Sequence, residues 1–345
     1  MLSMRKRFGI LNLVVLLLLP GLMVGQAKKM KIVTTLNYLR YVAQEVGGDK
    51  VEVKALANPQ QDPHYVTPTP RMNEMANDAD LFIENGLSLD LWAKNVLDAS
   101  GNPHIQPGNT GHLIATVNVP IKELPTEVSR AWGDIHPQGN PHIWLDPVNV
   151  KIVADNIAAR LEELDPTNTS YYQARLQKFR HDIDVRMFGQ ELVDALGTRG
   201  GDILTRKLVN DELDDWLSAR KLTSKLGGWL AEARPLKGLK VVSYHKTYVY
   251  FADRFGLQIV SELEEKPGIP PAPQRRDAIV DEVKRDGVKV ILNDNFYSRA
   301  AADYVASKTG AKVIVTYLDV GATPDVDTYD KLISRLIESI VQADH

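Results

Sequence analysis

Residues 31–56 read KIVTTLNYLRYVAQEVGGDKVEVKAL, and this stretch decides the fold. Lys31–Thr35 is an apolar, β-branched run. It leads into Leu36, Leu39, Val42 and Val46 at helical spacing, and Gly47-Gly48 closes the segment. The pattern is strand, helix, glycine cap. A second strand, Val51–Leu56, follows, then a Pro-rich loop (58–70), a helix around Arg71–Ala76 and an apolar strand, Leu81–Glu84. A β-α-β-α-β series predicts a parallel sheet covered by helices on both faces.

The second half of the chain repeats the series in the same order. Lys240–Tyr244 reads as a strand, Tyr248–Phe255 as a helix stopped by Gly256, and Leu257–Glu262 as a strand. Another Pro-rich loop (266–273), a helix over Asp277–Arg285 and a strand over Val288–Asn293 complete it. An internal repeat over about 60 residues in each half predicts two similar lobes, and 345 residues suit two domains. The expected fold is α/β, with two Rossmann-like parallel-sheet lobes.

Between them, Asp146-Pro147 supplies an N-cap and a first-turn proline to a helix with Val150, Val153, Ile157 and Leu161 on one face. A second helix is expected from Asn168, with Tyr172, Leu176, Phe179, Ile183 and Met187 as its stripe. Unbroken over about 30 residues it would span about 45 Å, a strut between lobes. Residues 197–235 fit neither repeat and read as a helical insertion. The expected division is a signal peptide 1–27, an N-terminal lobe 28–165, a linking helix 166–196, the insertion 197–235 and a C-terminal lobe 236–345.

The N-terminus departs from the rest of the composition. Arg5, Lys6 and Arg7 precede an apolar run from Phe8 to Val24, and Gly25-Gln26-Ala27 offers small residues for cleavage. This is the pattern of a secretory signal peptide. A membrane anchor is the alternative, but the run is short for a span and Pro20-Gly21 interrupts it. The chain has no cysteine, hence no disulfide and no lipid-bearing residue at the cleavage site. A periplasmic, monomeric protein is the expectation. The remaining composition is that of an ordinary globular protein, with 44% hydrophobic and 25% charged residues, and a net charge of -3 gives no electrostatic basis for binding nucleic acid.

Ligands of open parallel sheets bind beyond the carboxyl ends of the strands. Metal-capable side chains near such positions are few. His64 lies in the loop after the second strand, His142 just before the capped helix, His245 directly after the strand at Lys240, and Asp319 after the apolar run Lys312–Tyr317. Three imidazoles and one carboxylate form a four-coordinate nitrogen and oxygen site that suits Zn2+ and also accepts Mn2+ or Fe2+. Affinity should then fall as pH drops below the ordinary histidine pKa of about 6.5. His136 is a further candidate for metal capture. His104, His112, His181 and His345 are expected in surface roles.

These residues resemble the cluster A-I solute-binding proteins of metal ABC importers, the zinc- and manganese-binding periplasmic group. The likeness rests on Asp62-Pro63-His64 with Thr67-Pro68, on the run from Asn140 to Pro147, on Ser243-Tyr244-His245 with Tyr250-Phe251-Ala252 and Phe255-Gly256-Leu257, and on Leu318-Asp319. The resemblance implies two α/β lobes joined by a long rigid helix, small closing motions, and a membrane permease as partner. It implies His64, His142, His245 and Asp319 as ligands, the same set. Manganese-selective members tend to have a carboxylate where this chain has His245, which favours zinc. The long His-rich loop of many zinc-selective members is missing, since 110–140 holds only His112 and His136.

A hydrolytic metalloenzyme is the rival reading, because three histidines on zinc also describe sites with an open water position. Asp319 would fill that position, and no His-Glu-x-x-His occurs. The chain is therefore expected not to be an enzyme. A binder of organic solutes would need an aromatic or Arg-lined cleft; only Arg275 and Arg276 stand near it.

Overall fold

The computed structural model describes residues 28–125, 136–266 and 268–344, so the expected signal peptide and His345 lie outside the described residues. The first lobe contains β1 (Met30–Thr34), α1 (Asn37–Gly47), β2 (Val51–Ala55), α2 (Pro70–Asn77), β3 (Leu81–Glu84), α3 (Ala93–Ser100), β4 (His112–Ile114) and α4 (Pro147–Leu164). Then come α5 (Thr169–Phe188), α6 (Gln190–Leu196), α7 (Gly200–Val209), α8 (Leu213–Ala219) and α9 (Gly228–Glu232). The second lobe has β5 (Lys240–Ser243), α10 (Val249–Phe255), β6 (Gln258–Glu262), α11 (Pro273–Asp286), β7 (Val290–Asp294), α12 (Ala300–Thr309), β8 (Lys312–Thr316) and α13 (Tyr329–Asp344).

Each sheet has four parallel strands, in the orders β2-β1-β3-β4 and β6-β5-β7-β8. The same order twice is the repeat made physical. Central strands β3 and β7 are continuous apolar runs, buried on both faces (Leu81–Ile83, Val290–Leu292), as helix-covered parallel strands must be. The order in which strands are added switches sides between β1 and β3 and between β5 and β7, the point where open parallel sheets have a crevice beyond their strand ends.

One contiguous apolar core crosses the lobe boundary. It runs from Ile32 and Phe82 through Trp144, Tyr172 and Trp229 to Leu332 and Ile340 of α13. A smaller cluster (Val242, Leu263, Ile279, Ile291) lies in the second lobe alone. Trp144 fastens the seam: its Nε1 donates to Leu318 O at 2.7 Å, Tyr329 Oη donates to its carbonyl at 2.6 Å, and Tyr38 stacks on its ring at 5.2 Å.

The strut is shorter than an unbroken 30-residue helix. Its stripe of Tyr172, Leu176, Phe179, Ile183 and Met187 is buried, but α5 ends after 20 residues at Gly189. There φ is +86°, and a Cβ would lie 2.7 Å from the Gly227 backbone, so only glycine lets the α9 segment approach. The segment 197–235, expected as an insertion, is folded as α7–α9, and Lys151 of α4 reaches Asp184 of α5 at 2.6 Å and Thr205 of α7 at 3.1 Å.

His112 corrects the sequence expectation. It sits in β4, buried, stacked on Phe82 and 3.3 Å from Glu84 Oε1, because the strand turns it inward from what reads as a polar loop. His104 and His181 are exposed, as expected.

Candidate metal centre

His64, His142 and His245 converge where the strand ends of the two lobes face each other. Their ring centroids form a nearly equilateral triangle, with sides of 5.3, 5.4 and 5.4 Å. One ligand atom from each lies within 4.8 Å of the others. They line a cavity of ≈ 20 Å³ together with Trp144, Tyr297 and Asp319, enough for one ion or water.

Each ring is aimed by a partner on Nδ1. Asp62 Oδ1 stands 2.7 Å from His64 Nδ1, Asn140 Oδ1 3.0 Å from His142 Nδ1, and Glu264 Oε2 2.9 Å from His245 Nδ1. Ionised carboxylates only accept, so Nδ1 of His64 and His245 carries the proton. Asn140 Nδ2 donates to Lys246 O at 2.6 Å and Glu123 Oε2 at 2.9 Å, which fixes the amide orientation and makes Oδ1 an acceptor for His142. All three rings therefore present Nε2 lone pairs, the tautomer a metal needs. His245 Nε2 is buried with no hydrogen-bond partner. Such an orphaned nitrogen is costly unless a ligand meets it.

Burial holds the His142 pKa well below the usual histidine range, and the neighbouring His64, His245 and His136 add to the effect. The ring is neutral at pH 7. Burial lifts Asp62, but the hydrogen bonds it accepts from the His64 ring and backbone N–H oppose this, and the carboxyl lies below its ordinary value.

His136 is also drawn in. Its Nε2 is 3.2 Å from His64 Nε2, with ring centroids 5.2 Å apart, and burial followed by the neighbouring histidines lowers its pKa to about 3. Asp319 lines the cavity, but its carboxylate is engaged elsewhere. Oδ2 accepts from Asn37 N and Nδ2 at 3.0 and 3.1 Å, and Oδ1 from Tyr38 N and Val320 N at 2.8 and 2.9 Å. Burial pushes its pKa up to about 6.

The sequence reading missed the orienting residues Asp62, Asn140 and Glu264. A signal for two of them is present: both Asp62-Pro63-His64 and Asn140-Pro141-His142 place an Asx two residues before a histidine, where its oxygen also takes the histidine backbone N–H at 3.0 Å.

Two parallel α/β lobes closing on a triangle of tautomerically fixed imidazoles define a metal-binding protein of the solute-capture class. A family model described as zinc-uptake complex component A, periplasmic, matches residues 32–186 and 220–343. The chain belongs to this family, the metal-binding substrate-binding proteins of ABC importers. Residues 187–219, between the two matched stretches, overlap the segment expected as an insertion. Among relatives, the iron-binding protein YfeA of Yersinia pestis is 26% identical over 92% of this chain and 86% of its own. The high-affinity zinc uptake system protein ZnuA of Bacillus subtilis is 24% identical (84% and 79%), and the manganese-binding lipoprotein MntA of Halalkalibacterium halodurans 22% (82% and 77%). A ZnuA crystal structure superposes with a TM-score of 0.66 at 22% identity, covering 92% of this chain and all of that one. A cadmium-bound periplasmic metal-binding protein from Candidatus Liberibacter asiaticus gives 0.63 at 21% (91% and 99%). Among the described residues no helix is long and apolar enough to cross a membrane.

Proposed function

We propose that this protein captures zinc in the periplasm, after export on a cleaved signal peptide, and delivers it to the membrane permease of an ABC importer. The observation that carries this reading is the triangle of His64, His142 and His245, each held on Nδ1, which leaves Nε2 as the nitrogen to bind. Borderline-soft zinc favours imidazole nitrogen. Two donors compete for the fourth position. His136 offers a nitrogen already beside His64, whereas Asp319 must first give up hydrogen bonds to α1. With a fourth protein donor, no position is left for an activated water, which supports binding rather than hydrolysis.

Manganese or iron(II) is the second reading, favoured by the Asp319 carboxylate in the same cavity and by relatives named for those metals. The test is to strip the mature protein with chelator, offer zinc, manganese and iron(II) together at neutral pH, and count bound metal. One tightly held zinc is the expected result. Uptake of manganese or iron instead moves the cargo, and no stoichiometric metal overturns the reading. His142→Ala should lose binding with the fold intact.

A further inference from the structure

The turn that carries His142 is gripped at both ends by one helix of the other lobe. At its start, Tyr250 Oη donates to Asn140 O at 2.8 Å while accepting from Lys122 N–H at 3.0 Å. At its end, Arg254 Nε and Nη2 fork onto Asp146 Oδ1 and Oδ2 at 2.9 and 2.8 Å. The two side chains are four residues apart on α10, hence on one face. The Arg254–Asp146 pair is 10% and 4% exposed, so it is a desolvated two-bond pair rather than a surface contact. Asp146 also caps α4 through Val148 N at 2.9 Å, so the same carboxylate fixes the turn to its own lobe.

The helix that makes these contacts begins four residues after His245. Asn140 closes the circuit: Oδ1 holds the His142 ring, and Nδ2 holds Lys246 O at 2.6 Å. The His245 side is anchored separately, by Thr247 Oγ1 on Asp294 Oδ2 at 2.9 Å and by Tyr248 on Asp294. One short helix therefore joins two histidines that come from different lobes.

We propose that Tyr250 and Arg254 are positioning residues, a two-point clamp that sets the separation of His142 from His245 and thereby the rate at which a bound ion leaves. This rests on the reading that these histidines hold the metal. Neither clamp residue touches the ion. With the clamp broken, the His142 turn keeps only its ties at Asn140 and Trp144 to the other lobe, so His142 moves more freely against His245 and the three-imidazole chelate opens sooner.

The test is release of Co2+ from the loaded protein to excess chromogenic chelator, followed by stopped flow, with the visible Co2+ spectrum recorded beforehand. Arg254→Met should release about 10- to 100-fold faster, the range for lost orienting partners of metal ligands. Arg254→Lys should recover part of that loss, and Tyr250→Phe, which removes a single hydroxyl and preserves the fold, should give a smaller acceleration and an altered spectrum. Arg180→Met, which breaks the Arg180 pairs with Asp155 and Asp202 on the strut, should lower Tm without changing release. The clamp is overturned if Arg254→Met and Tyr250→Phe release like the parent, or if Arg180→Met accelerates release as much for an equal loss of Tm. A parent that holds no Co2+ overturns the capture reading and the clamp together, and is distinguishable because the parent alone reports it.

Discussion

Asp62 Oδ1 accepts two hydrogen bonds from His64, one from the backbone N–H at 3.0 Å and one from ring Nδ1 at 2.7 Å. A single oxygen thus fixes both the turn and the tautomer. Asn140 treats His142 the same way, so the device is built twice in one lobe. Asp62→Ala and Asn140→Ala should each weaken metal affinity by about 10- to 100-fold with the fold retained. Competition against a chromogenic chelator measures this. Unchanged affinity in both would mean that the rings are aimed by packing alone.

The Nε2 atoms of His64 and His136 are 3.2 Å apart. Two nitrogens at about 2.0–2.1 Å from one tetrahedral zinc lie about 3.3–3.4 Å apart. His136→Ala should therefore weaken zinc about tenfold or more while leaving manganese, which prefers oxygen donors, little changed. Equal effects on both metals would count against a nitrogen ligand at this position.

Asp319 caps α1 from the other lobe. The N-cap residue of that helix is Leu36, which has no side-chain acceptor, and Asp319 takes the N–H groups of Asn37 and Tyr38 instead. Asp319→Ala should lower the stability of the metal-free protein by about 1–2 kcal/mol, as lost caps do. It should also weaken manganese more than zinc. Urea unfolding and competitive titration separate the two effects.

Burial lifts the pKa of Asp294 from 3.8 to about 6, against the opposing hydrogen bonds from Tyr248 and Thr247. The folded state thus binds this proton more tightly than the unfolded chain. Its stabilising contribution is full below the unfolded value of 3.8 and is lost as pH rises through about 6. Asp294→Asn should flatten the fall in stability of the metal-free protein across that window. Tm against pH for parent and variant gives the difference directly, and parallel curves would refute it.

Lys151 and Asp184 form a buried ion pair at 2.6 Å, joined by Thr205 of α7. Lys151→Ala leaves the carboxylate buried and unpaired, a loss of about 3–5 kcal/mol. The double variant Lys151→Met with Asp184→Leu should recover most of it. Denaturant midpoints decide.

The two sheets were legible because their signals are local: period, glycine stops and proline loops recur in both halves, and both sheets adopt one strand order. His64, His142 and His245 were legible as candidates because each stands beside a strand, a short loop or a capped helix start that the sequence marks locally. The orienting Asp62 and Asn140 were readable in principle from the shared Asx-Pro-His pattern, whereas Glu264, 19 residues from its histidine, was not.

Sequence by itself determined the paired parallel sheets and the placing of His64, His142 and His245 beside strands, short loops and a helix start, since these signals act within a few residues; the meeting of the three rings came with folding. Tertiary structure alone decided that Asp319 spends its oxygens on α1, that His136 reaches His64, and that α10 grips the His142 turn. Those contacts join residues 282, 72 and 108 positions apart. Side chains that can serve either a helix terminus or a cavity are assigned only when folding brings both within reach, and no local pattern records which one wins.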